Sequence, residues 1–393
     1  MKTYIAAFFL LLSATFVAAH PYLIQRLGIE QGLSNNYVLS ITQDKQGFLW
    51  FATEEGLNKF DGTRFITYYK EEQSSSVQSI TGNELNEVYT DPVQPVIWIA
   101  TQRAGLNAYN YETQSFSVYQ YNPEDPQSLI TNDVTHITSS VQAGKGLWVC
   151  TYYRGIEYLD IATGKFTHYN KSTVPALPSE AEDGKLYIGH VEGGLSILSL
   201  NDKSVKHFVH DPQNPNSLPG NDVRCIYKDT NGNIWIGTSK GLALFNANTE
   251  TFTNFHNNPG NIHGALSSYI FSIKQLKDNK LWIATELNGI MILDLQQNQF
   301  LLPEQIRFEF IREGDNNYSL SNASARYIFQ DSFNNIWIGT WGGGINFISN
   351  APPTFHTWSY SPTQMNESSL SNKVVSSVCD DGQGKLWIGT DGG

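Results

Sequence analysis

Six residues of this chain have side chains suited to gripping a small molecule: Tyr152, Tyr153, Arg154, Trp341, Arg103 and Lys240. Each follows, within three positions, a short apolar run that ends in Thr, so each falls in a turn rather than in a strand. Aromatic faces at turns, with a few fixed polar groups beside them, suit a ligand with apolar faces and polar edges. Tyr152, Tyr153 and Trp341 would supply the platforms, and Arg103 and Lys240 are available for a carboxylate or sulfate. A blander reading stands beside this one: turn aromatics also pack against neighbouring units of a fold.

No catalytic signature accompanies them. The chain has no His-Glu-x-x-His, no Gly-x-Ser-x-Gly, no phosphate-cradling glycine loop and no Cys-x-x-Cys pair. His207 and His210 are three apart on an extended segment and point to opposite faces, so they cannot share an ion. Asp229-Thr230-Asn231-Gly232-Asn233 begins like a calcium loop but has Lys240 where the bidentate Glu belongs, and it reads as a hairpin turn. Glu54-Glu55, Glu71-Glu72 and Asp380-Asp381 are adjacent in sequence, so a strand would throw each pair apart instead of facing it across a bond. No metal or cofactor is expected, and no catalytic residue.

The elements that must position the six residues form a repeat. An aliphatic residue, an aromatic one, an aliphatic or aromatic one, a small residue and Thr recur as LWFAT, IWIAT, LWVCT, LYIGH, IWIGT, LWIAT, IWIGT and LWIGT. The aromatic position falls at Trp50, Trp98, Trp148, Tyr187, Trp235, Trp282, Trp337 and Trp387, a period of about 48 residues. Within one unit, Tyr37 to Gln43 reads as a strand and Asp44 to Gly47 as a turn. Phe48 to Thr53 reads as a second strand, Leu57 to Phe60 as a third, and Asp61-Gly62 as a hairpin before a fourth at Arg64 to Tyr69. Four antiparallel strands and a longer loop make one blade, so the fold is all-β, a β-propeller, most simply seven-bladed. The eight aromatic residues are read as core, each facing the next blade, with the small residue two positions on admitting the adjacent sheet.

The fourth unit is degenerate, with Tyr187 for Trp, His190 for Thr and a short polar inner strand near Pro175 to Asp183. Ahead of the first unit, residues 22–27 read as a spare strand that closes the ring by joining the seventh blade. The expected layout is a signal peptide at 1–19, a propeller over 20–354, and the start of a second propeller at 355–393. The eighth unit stops between its second and third strands, so the chain is expected to be the amino-terminal piece of a longer protein.

Charge and cysteines narrow the function. The formal net charge of −12 argues against nucleic-acid binding and against a polybasic membrane anchor. Lys2, the apolar run Ile5 to Leu12 and the small residues before His20 form an export signal too short to span a bilayer. Cys150, Cys225 and Cys379 are expected to be buried, unpaired thiols.

The units Gly32-Leu-Ser-Asn-Asn36 through Gly56-Leu-Asn-Lys-Phe-Asp61, and Asn216-Ser-Leu-Pro-Gly-Asn-Asp-Val223 through Thr238, resemble the two-component regulator propeller repeat over essentially all of the chain after its signal. That resemblance implies a periplasmic sensor region of a hybrid two-component histidine kinase, often responding to oligosaccharides released from glycans. It also implies a small-molecule, oligosaccharide partner, a homodimer of the full-length sensor, and a membrane helix and kinase outside this chain. The alternatives are a secreted propeller glycosidase or polysaccharide lyase, or a protein-interaction scaffold.

Overall fold

The computed structural model describes residues 22–71, 79–140, 145–152, 154–170, 176–181, 184–255, 269–296, 306–351, 358–360, 369–383 and 385–391. The signal segment at 1–19 and Tyr153 lie outside the described residues.

Seven four-stranded antiparallel sheets form a ring. Blade 1 runs Val38–Gln43, Leu49–Thr53, Gly56–Phe60 and Phe65–Tyr68, from axis to rim. The inner strands of blades 2 to 7 are Leu85–Thr90, Val134–Ser139, Ala176–Ala181, Val223–Lys228, Ile270–Gln275 and Ala325–Gln330. Each inner strand touches the next, and that of blade 7 touches that of blade 1. The outermost strand of blade 7 is Ile24–Leu27, antiparallel to Ile345–Ile348, so the two ends of the ring interlock in one sheet. Blade 4 keeps all four strands, with Ala176 opposite His190.

Seven apolar clusters hold the ring, one at each blade interface. The repeated aromatic residue always belongs to the cluster shared with the following blade. Trp50 joins Leu85, Val88 and Ile99 of blade 2, and Trp337 joins Val38, Ile41 and Phe51 of blade 1. The small residue of the phrase sits where the next blade comes closest. A Cβ on Gly339 would lie 2.9 Å from both the Val38 carbonyl oxygen and its Cγ1.

Trp387 does not belong with these core residues. It is 66% exposed, because its strand Leu386–Thr390 pairs only with Val375–Asp380 and no described sheet covers that pair. Cys379, on the same pair, is exposed for the same reason, whereas Cys150 is buried and Cys225 half-buried; all three are free thiols.

Candidate functional site

The face carrying the turns between second and third strands also carries the loops between blades, and backbone hydrogen bonds weld the two. The glycine at the start of the third strand or just before it donates its N–H to the loop entering the next blade: Gly56 to Asn83 O at 2.8 Å, Gly105 to Asn132 O at 2.7 Å, and Gly344 to Asn36 O at 2.9 Å. In the six blades that have it, the Thr of the phrase closes the tip from inside, as when Thr340 Oγ1 donates to Gly344 O at 2.8 Å and accepts from Gly343 N–H. Buried Asn58, Asn107 and Asn346 then clamp Ser34, Thr81 and Ser321 of the entering loops through both backbone and hydroxyl. These bonds tie the tips and the entering loops of this face to one another.

The same face presents a charged aromatic cluster at the mouth of the ring. Six inner strands carry a one-residue bulge at their second position, occupied by Leu39, Asn86, Thr135, Arg224, Phe271 and Arg326. A bulge re-aims the side chain it inserts. Asn86 uses this freedom to bond Val134 O of the next blade at 2.7 Å. On blades 5 to 7 the three bulge residues assemble instead. The Arg326 guanidinium carbon lies 3.7 Å from the Phe271 ring centroid and 4.5 Å from that of Trp341. Phe271 stacks on Tyr269 at 6.1 Å, and Arg224 sits 5.6 Å from the Tyr269 ring. Trp341 in turn meets Tyr37 edge-on at 4.9 Å, joining blade 7 to blade 1. Such cation–aromatic contacts hold guanidinium groups by their faces and leave their edges available.

Further titratable groups occupy the inner strands below this mouth. Burial lifts the Glu87 carboxyl to about 8, against a 2.6 Å hydrogen bond from Ile137 N–H that favours ionisation. Burial also lowers the His136 imidazole to about 4, helped by the Arg224 charge, and the Lys274 ammonium is held below its ordinary range by desolvation. Among the described residues no three His, Cys, Asp or Glu side chains converge as metal ligands. The calcium-like turn is fully accounted for: Asp229 accepts backbone N–H from Asn231 and Asn233, the Asn233 amide, and the Trp235 indole N–H.

Of the six residues expected at a ligand site, Trp341 stands inside the cluster and is 38% exposed. Lys240 lines an open cavity of about 420 Å³ between blades 4 and 5, with His210, Pro219, Gly220, Asn221 and Ser239. Arg103 on blade 2 is exposed and paired with Glu84 at 2.8 Å. Tyr152 and Arg154 are exposed on the blade 3 tip. Arg326, Arg224, Phe271, Tyr269 and Tyr37 were not singled out by the sequence analysis. Their signal was present in the inner strands, where Val-Arg-Cys-Ile and Ala-Arg-Tyr-Ile replace Val-Leu-Ser-Ile at 38–41.

The two-component regulator propeller family model matches residues 32–55, 217–240, 319–342 and 369–392. The extracellular domain of the hybrid two-component system BT3049 from B. thetaiotaomicron is 89% identical and superposes with a TM-score of 0.78, over 95% of this chain and 47% of that one. The extracellular domain of the one-component system BT4673, from the same organism, shares the fold at 18% identity and a TM-score of 0.65, over 94% of this chain and 52% of that one. A stretch of 93 residues, 22% of this chain, is 32% identical to 6% of histidine kinase P4 from Formosa agariphila. The chain thus spans about half the length of the solved relatives and a small part of the curated one.

Proposed function

We propose that this chain, built from two-component regulator propeller repeats, is the ligand-sensing propeller of a hybrid two-component histidine kinase. It works in the periplasm, binds a glycan-derived oligosaccharide, and passes its occupancy to a kinase outside this chain. The observation that carries the reading is the cluster of Trp341, Tyr269, Phe271 and Tyr37 around Arg326 at the mouth of the ring. Aromatic faces fit the C–H faces of sugar rings, and cationic edges fit their oxygen substituents. The 89% identity to an extracellular domain of a hybrid two-component system supports the sensor assignment.

The inner wall of the ring supplies binding. A scaffold this tightly latched has little means of bending, so the response belongs to whatever packs against the ring. A ligand shifts an equilibrium only by its differential affinity for two states, so bound sugar must also touch, or exclude, a second propeller or a second protomer. Trp341 is placed to do this, since it is half-exposed and bridges blades 7 and 1.

The test is calorimetric titration of the exported chain with a panel of neutral and acidic oligosaccharides, repeated on Trp341→Ala. Saturable binding that weakens about tenfold or more in the variant is expected, since a buried aromatic anchor contributes about 2 kcal/mol or more. Binding unchanged by the substitution, or no binding by any oligosaccharide, contradicts the proposal.

A further inference from the structure

We infer that the mouth of the ring selects an anionic oligosaccharide, with Arg326 docking its carboxylate or sulfate. The inference rests on the sensing reading above and narrows its ligand class. Phe271 and Trp341 cover Arg326 at 3.7 and 4.5 Å from their centroids, which fixes the plane of the guanidinium. Its Nε is buried with no hydrogen-bond partner, and no described carboxylate forms an ion pair with it. A guanidinium has five N–H donors in one plane, and a buried donor left unmade is costly. An oxyanion placed at the two terminal nitrogens, which are not sealed in as Nε is, would accept from both at once.

The neighbouring charges direct an anion to this residue. Asp222 already holds Arg224 through Nε at 2.7 Å and the terminal nitrogen at 2.8 Å, so that guanidinium has its carboxylate. Arg224 still repels Arg326 across the mouth, while Glu286 offsets it from the tip of blade 6 without pairing. Lys274, three residues beyond Phe271 on the same inner strand, adds a further cation below. A chain with a net charge of −12 thus places four cations, Arg224, Lys228, Lys274 and Arg326, and no carboxylate on the inner strands of blades 5 to 7. Walls of low polarity around such a group concentrate its field on a bound anion.

The experiment titrates the purified chain with three trisaccharide probes of matched size: a galacturonate, its carboxyl-reduced neutral counterpart, and a sulfated galactose oligomer. A wider panel of neutral and anionic glycans runs in parallel. Arg326→Gln and Arg326→Lys are both titrated, and only variants that melt like the wild type are read. Binding confined to anionic glycans, weakened about tenfold or more in Arg326→Gln and partly kept in Arg326→Lys, is expected for a charge-assisted hydrogen bond. The galacturonate and sulfate arms then tell which anion is docked. Binding of neutral glycans alone, or equal binding by wild type and Arg326→Gln, overturns the inference and leaves the sensing reading standing. Failure of every glycan sinks the sensing reading itself, and this inference with it.

Discussion

Asp44, Asp91, Asp229 and Asp331 each accept an indole N–H from the Trp of their own blade, at 2.9 to 3.1 Å, from within the turn between the first two strands. In blade 6 the same position is Leu276, and the Trp282 indole nitrogen is buried without a partner. Asp44→Ala is expected to cost about 1–3 kcal/mol by orphaning the Trp50 indole and two backbone N–H groups. Chemical denaturation would measure it, and a loss within experimental scatter would contradict that role. A second prediction concerns pH. Glu87 holds its proton up to about 8 in the folded chain, against about 4.5 for an ordinary Glu, so folding retains a proton that unfolding releases. Stability from this group is fully present below about 4.5 and is lost as pH rises through about 8, with Glu157 acting in the same direction. The melting temperature of Glu87→Gln is therefore expected to fall less between those limits than that of the wild type. An identical slope would place the titration elsewhere. At this scale the sequence was only partly legible. The Trp residues announced their burial through type and period, but an Asp in a turn looks the same whether it meets a metal, water or an indole.

Ile24–Leu27 illustrates what an element can do that its own residues do not require. Its two end residues are buried and its two middle residues exposed, and their pairing with Ile345–Ile348 joins the two ends of the ring in one sheet. Arg26 adds a tether to the carbonyls of Asn316, Ser319 and Leu320. Removing residues 22–27 leaves an open strand edge and uncovers Ile348 and Ile345, so the shortened chain is expected to melt well below the intact one and to aggregate. Unchanged melting and monodispersity would deny the strand its role in closure. Gly339→Val tests the same seam from the other side. The new side chain meets backbone of Val38, which cannot swing away, so a loss of about 1–3 kcal/mol is expected on denaturation. The blade pattern was legible because each hairpin turn and each Thr repeats. The bulges were not, since no residue type marks them. They decide which side chains reach the mouth, and for that reason the sequence pointed to tip residues such as Arg103, which pairs with Glu84 at the surface, and not to the bulge residues.

The whole ring separates scaffold from site. Seven apolar interfaces close the annulus, and at its mouth Arg326, Phe271 and Trp341 come together from blades 6 and 7. The number of blades followed from the seven complete units and the spare strand at 22–27. The cluster at the mouth did not, because it is assembled from residues about 50 apart in the chain whose convergence depends on ring closure. The most direct test of the account is amide hydrogen exchange of the chain with and without a saturating oligosaccharide. Protection is expected in the segments around Tyr37, Asp222 to Arg224, Tyr269 to Phe271 and Thr340 to Gly344, all on one face. Protection confined to the Asp44, Asp229 and Asp331 turns on the opposite face would contradict it.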